Sequence, residues 1–331
     1  MRQSSVIRLL PLILLAALPA AAQLPRIGDI NFYGVHRLQP EKLMAAMGVH
    51  PGDRLPASKG DLEARLSEVQ GVVDSRVEAV CCDGPNATLF VGVEERLGPH
   101  FDTRGAPSGG AILPDAVMDR YHEYLAASGR SARTGSGADA ETQRLGAEFT
   151  AYAAGHLALL RDVLRNSSQG EQRAAAAEIV GWIENKSQVI NDLQYALADS
   201  DESVRANAAR SLRSFAVLAH KQPELGLKIA PVWLVAMLNS VVLSDRMQAA
   251  RTLVVLTDTA DPPVLVLLRE RALPALVEMA RWKTPEYALP PFLLLGRVMG
   301  VAEDDLQEQW KKNDRETLIR KAAEAANRGR R

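Results

Sequence analysis

Residues 199–212 read DSDESVRANAARSL, and this stretch decides the fold of the second half of the chain. Asp201 stands where a helix N-cap belongs, its carboxylate placed to accept from the first free N–H groups. The adjacent Ala208 and Ala209 are small enough for a neighbouring helix to approach closely, and Leu212 closes the apolar face. Two further stretches follow the same plan: LLRDVLRNSSQGEQRAAAAEIVGW at 159–182 and WLVAMLNSVVLSDRMQAARTLVVL at 233–256. Aligned on Arg173, Arg205 and Arg246, the alanine pairs at 176–177, 208–209 and 249–250 coincide. So do the last apolar anchors, Val180, Leu212 and Leu253. The spacings of 32 and 41 residues are irregular but near the length of paired-helix repeats.

A helix pair of this kind has an apolar face that it cannot bury alone, so neighbouring pairs stack into one core. These stretches resemble HEAT repeats. The resemblance implies an all-α solenoid over residues 141–331, of about four pairs, with residues 303–331 as its cap. The fourth pair, 263–280 with 285–301, carries Pro290 and Pro291 where alanine is expected and reads as a kinked end.

Residues 25–96 have a different texture. Residues 26–32 read as a strand closed by Gly34, and Pro40 opens a short helix with Leu43, Met44 and Met47 on one side and Gly48 at its stop. Ser58 and Asp61 form a capping pair for a second helix through Leu62, Leu66 and Val69. Val77, Ala79 and Cys81 then alternate with Arg76, Glu78 and Val80. After the turn at 83–86, Leu89, Val91 and Val93 alternate with Phe90, Gly92 and Glu94. The order is β-α-α-β-β, a small α+β unit. With INFYGVHRL, MGVHPGDRL, VQGVVDSRVEAV and TLFVGVEER in place, it resembles a POTRA domain.

Members of that family precede outer-membrane barrels or belong to bacterial division and secretion proteins. The resemblance implies a mode of use, the addition of a partner's extended segment to a sheet edge. Residues 88–93 are the more apolar strand and are expected centrally. That leaves Arg76, Val77, Glu78, Ala79 and Val80 at an edge, as the candidate protein-binding residues.

Residues 97–140 read as a flexible connector, rich in glycine and serine at 105–110 and 128–137, around one short helix through Val117, Tyr121 and Leu125. At the N-terminus, Arg2 and Arg8 precede an apolar run at 9–18 and the small residues Ala20, Ala21 and Ala22. This is the pattern of a signal peptide over residues 1–22, and it predicts a periplasmic or secreted protein. Cys81 and Cys82 are the only cysteines, and they read either as two thiols or as a vicinal or intermolecular disulfide.

No catalytic constellation emerges. His122-Glu123 has Ala126 where the second zinc-binding histidine of a metalloprotease belongs. His100 and Asp102 are two ligand types without a third. Asp199, Asp201 and Glu202 read as helix-capping acids. A formal net charge of −1 provides no general field for nucleic acid.

The expectation is therefore a non-enzymatic scaffold without metal or cofactor, recognising protein partners of the bacterial cell envelope. The alternative is a structural envelope component held at the membrane by an uncleaved N-terminal anchor or by the tail. From residue 311 to the C-terminus that tail carries eight basic and three acidic residues.

Overall fold

The computed structural model describes residues 24–84, 86–134, 139–258 and 262–328. The signal segment expected over 1–22 lies outside them, as do residues 135–138 of the connector and 329–331 of the tail. The described residues are mostly helical, with fourteen α-helices and one small mixed sheet.

The sheet comprises β1 (Arg26–Tyr33), β2 (Val72–Asp83) and β3 (Asn86–Glu95), in the order β1-β3-β2. β3 is central, parallel to β1 and antiparallel to β2. The helices α1 (Pro40–Met47) and α2 (Lys59–Ser67) lie between β1 and β2 in the chain. Pro40 starts α1 and the Ser58 hydroxyl accepts from Asp61 N at the start of α2.

One face of the sheet, through Val77, Leu89, Val91 and Val93, forms a core with Leu43, Met47, Leu62 and Leu66. The opposite face presents Tyr33 and Phe90, and both belong to the core of the helical layer instead. Strand alternation therefore divides one sheet between two cores.

The helical layer begins with α3 (Asp115–Thr134) and α4 (Ala140–Asn166) and continues with α5 (Gly170–Val180), α6 (Ile190–Ala196) and α7 (Glu202–Lys221). Next come α8 (Val232–Met237), α9 (Leu243–Leu256), α10 (Pro262–Arg271), α11 (Leu273–Ala280) and α12 (Pro285–Val298). The layer closes with α13 (Glu303–Lys311) and α14 (Glu316–Arg328). α5 packs on α7, α7 on α9 and α9 on α12. The aligned alanines of the first three are fully buried there, Ala209 among them. The helix expected over 263–280 divides at Ala272, and Pro274 starts the second piece. α12 continues through Pro290 and Pro291.

The three landmark arginines are buried ties between successive turns. Arg173, Arg205 and Arg246 each donate to the carbonyl six positions upstream, those of Ser167, Asp199 and Ser240, at 2.9, 2.9 and 2.6 Å. Each also reaches an acid further along. Arg173 meets Asp199 at 2.7 Å, Arg205 meets Asp245 at 2.8 Å, and Arg246 lies 3.6 Å from Glu278. Asp199 therefore serves Arg173 rather than capping a helix, and Asp201 alone caps α7. Charges this deep persist because each is paired and hydrogen-bonded.

The connector differs from its flexible reading. Arg104 N donates to Ala198 O at 2.7 Å, and its guanidinium lies 3.4 Å over the Tyr195 ring. Ser168 N donates to Gly109 O at 2.8 Å, and Leu113 N donates to Gln172 Oε1 at 2.8 Å. Glycine and serine permit this course, and backbone hydrogen bonds to the helix turns fix it. The helix expected to be short extends to Thr134 and buries Tyr121, Tyr124 and Ala127 against its neighbours.

Candidate interaction surface at the sheet edge

The sheet is seated on the helical layer before any partner arrives. Tyr33 Oη donates to Val241 O at 2.9 Å, and Gly34 N donates to Glu278 Oε2 at 3.0 Å. Trp282, 2% exposed, meets Phe90 and Tyr33 edge-on at 5.0 and 5.7 Å. Gly92 makes the close approach possible, because a Cβ there would fall 2.3 Å from Val241 O. Gly34 has φ +74, a left-handed conformation suited to glycine. Burial pushes the Tyr33 hydroxyl far above its ordinary pKa, although Arg246 opposes the shift, so it remains a donor.

β2 forms one edge of the sheet, and all five candidate residues lie on it. Val77 N donates to Glu63 Oε1 at 2.8 Å, so its N–H faces away from β3. By strand alternation Ser75 and Ala79 face the same way, while Arg76, Glu78 and Val80 bond inward. Half of this edge is already guarded. Ser75 N donates to Asp74 Oδ1 at 2.8 Å, and Arg76 Nη1 donates to Ser75 O at 3.3 Å. Such side-chain capping is how an edge resists indiscriminate pairing. The outward N–H of Ala79 lies beyond the guarded part, on an exposed residue.

Side chains alternate as well, so Arg76, Glu78 and Val80 face the helical layer while Val77 is buried against α1 and α2. At Glu78 and Val80 the seam opens into a cleft of about 350 Å³. Met247 and Tyr287 line its apolar part, and Glu202 and Arg251 contribute charge. Tyr287 stacks on Phe90 at 4.9 Å. Gln248 also lines the cleft, and its Oε1 is buried without a hydrogen-bond partner. Lys59 Nζ lies 3.1 Å from Glu78 Oε1, and this hydrogen bond raises the lysine pKa. Both side chains are well exposed, so the pair adds little stability.

Glu63, Gln248, Arg251 and Tyr287 had no local signature in the sequence, because each matters only through its place opposite β2, and Glu202 was read only as an acid at a helix start. The other candidates stay apart. His100 and Asp102 pair with each other at 3.3 Å on exposed loop, and His122 pairs with Glu171 at 2.7 Å. Among the described residues, no three metal-ligating side chains converge. Cys81 and Cys82 are joined as a vicinal disulfide at the exposed end of β2. In the basic tail, Leu318, Ile319 and Ala322 of α14 are buried and α14 packs on α11, leaving Arg320 and Lys321 outward. No protein-family model, no curated protein and no solved structure matches the chain.

Proposed function

We propose that this protein is an exported, non-enzymatic scaffold of the cell envelope: a POTRA-like sheet seated on a HEAT-like solenoid, holding an extended segment of a partner protein along β2. The observation that carries the reading is the unguarded Ala79 stretch of an edge strand, opening onto the cleft beside Glu78 and Val80. A strand added there gains main-chain hydrogen bonds, and its alternate side chains reach the cleft. The stacking of α5, α7, α9 and α12, with the repeated arginine ties, supports the solenoid part of the proposal. Membrane contact through the tail is the lesser proposal, because the apolar side of α14 is already buried and only surface charge remains for it.

The test is a photo-crosslinker at Glu78, which lines the cleft, in living cells, compared with one at the outward Arg320. The proposal expects a specific protein adduct at Glu78 that disappears when Ala79→Pro is added, which removes an outward donor without breaking the ladder to β3. An adduct unaffected by that change, with the sheet still folded, removes the edge from the site. A lipid adduct at Arg320 alone moves the function to the tail.

A further inference from the structure

Beyond the seam, the face formed by α7 and α9 carries three arginines. Arg210 and Arg213 stand one turn apart on α7, and Arg251 holds on α9 the position that Arg210 holds on α7, five residues after the buried tie. Arg210 donates to Glu178 Oε2 at 2.9 Å, and Glu178 is buried. Arg251 donates to Glu286 Oε1 at 3.1 Å, but that acid is 75% exposed. Arg213 is half-buried and has neither kind of partner. Among the described residues, no carboxylate or carbonyl accepts from its guanidinium. Burial pushes its pKa down, and the charges of Arg251 and then Arg210 push the same way. A cation in this position destabilises the free protein, and an arriving anion would relieve that repulsion.

One turn beyond Arg213 on α7, Val217 joins Val254 and Val255 in a hollow of about 200 Å³. His220 and Asp258 lie 3.4 Å apart beside it. The face thus offers positive charge next to an apolar recess. A bare phosphate would use only the charge. A peptide carrying an acid beside an aliphatic or aromatic residue would use both.

We infer that Arg213, flanked by Arg210 and Arg251, anchors a carboxylate of an acidic protein segment whose neighbouring apolar side chain enters the Val217, Val254 and Val255 hollow. Arg251 also lines the cleft at the sheet edge, but Arg213 and the Val217, Val254 and Val255 hollow do not, so changes at Arg213 test this site apart from the edge. Guanidinium forks match carboxylates in a bidentate manner, and half-burial strengthens each bond relative to open solvent.

The experiment pans a random displayed peptide library against the intact protein and measures the selected peptides by titration. The expected winners are rich in Asp and Glu with an apolar neighbour. Their binding is expected to weaken at least about tenfold in Arg213→Glu and to fall steeply with salt. Arg213→Met is expected to melt no lower than the parent while losing the same peptides, which separates binding from folding. The inference is overturned by winners without acids, by no winners, or by acid-rich winners that bind Arg213→Glu unchanged. It is also overturned if inorganic phosphate displaces the peptides as well as their own carboxylates do, or if Arg213→Met clearly lowers the melting temperature.

Discussion

The guanidinium of Arg246 lies 4.7 Å from the centre of the Tyr33 ring, closing the seam between sheet and helices. Arg246 is fully buried, and Glu278 is its acidic partner. Arg246→Ala removes the cation and leaves that acid short of compensation, for an expected loss of ~3 kcal/mol or more in urea unfolding. Tyr33→Phe removes only the donor to Val241 O and is expected to cost about 1–2 kcal/mol. Equal losses would mean that the Tyr33 hydrogen bond contributes as much to the seam as the buried charge does.

Gly92→Ala tests the same seam without touching a charge. The new methyl would meet Val241 O at 2.3 Å and the Tyr33 ring at 2.6 Å, and neither neighbour is the free end of a flexible chain. We expect a cost of at least ~1–3 kcal/mol. Hydrogen exchange is expected to accelerate at residues 239–242 while residues 174–180 stay protected. Unchanged exchange at 239–242 would show that the sheet does not depend on this approach.

The tie between Arg205 and Asp245 suits a double-mutant cycle. Both side chains are almost wholly buried, and Ser240 Oγ also donates to Asp245 at 2.7 Å. Asp245→Ala strands the arginine and is expected to cost ~3–5 kcal/mol, whereas Arg205→Met with Asp245→Leu is expected to recover much of that loss. Strict additivity in thermal melts would deny the pair any coupling.

Acid sensitivity is expected from Glu95. Burial works to raise its pKa, but the N–H groups of Leu38, Arg37 and His36 donate to it at 2.8–3.0 Å and the net shift is downward. A depressed folded-state pKa contributes stability that is full above the unfolded value and lost as pH falls through the folded one. The loss is therefore expected below about pH 4.3, the ordinary glutamate value. Glu95→Gln is expected to lower stability at pH 7 and to flatten this acid limb in denaturant titrations. An unaltered acid limb would place the titrating group elsewhere.

Much of the local structure was legible in the sequence. Pro40, the Ser58–Asp61 pair and Asp201 mark helix starts by chemistry that acts within one turn, and the structure uses them so. The alignment on Arg173, Arg205 and Arg246 also found equivalent places, but charge alone argued for solvent, and the pairing acids stand at no fixed offset. Arg210 reads as an outer-face residue by helix phase, yet it reaches across to the buried Glu178. The seating of the sheet was not legible. Phe90 and Gly92 fall on the alternate face by simple pleating, and nothing near them in the sequence announces Trp282 or Val241 as their neighbours. The guarded half of β2 was hidden for the same reason, since Glu63 caps Val77 from another element.

The seam also sets a timetable for the nascent chain. Tyr33 and Trp282 touch across 249 positions of sequence, so the sheet leaves the ribosome well before its docking surface exists. At roughly 5–20 residues per second, that interval lasts on the order of ten to fifty seconds. Through it the Tyr33 and Phe90 face stays uncovered while the Leu43 and Leu62 face is already able to close. Newly made chains are thus open to chaperone capture on one face of the sheet, and that susceptibility ends when the loop carrying Trp282 is synthesised.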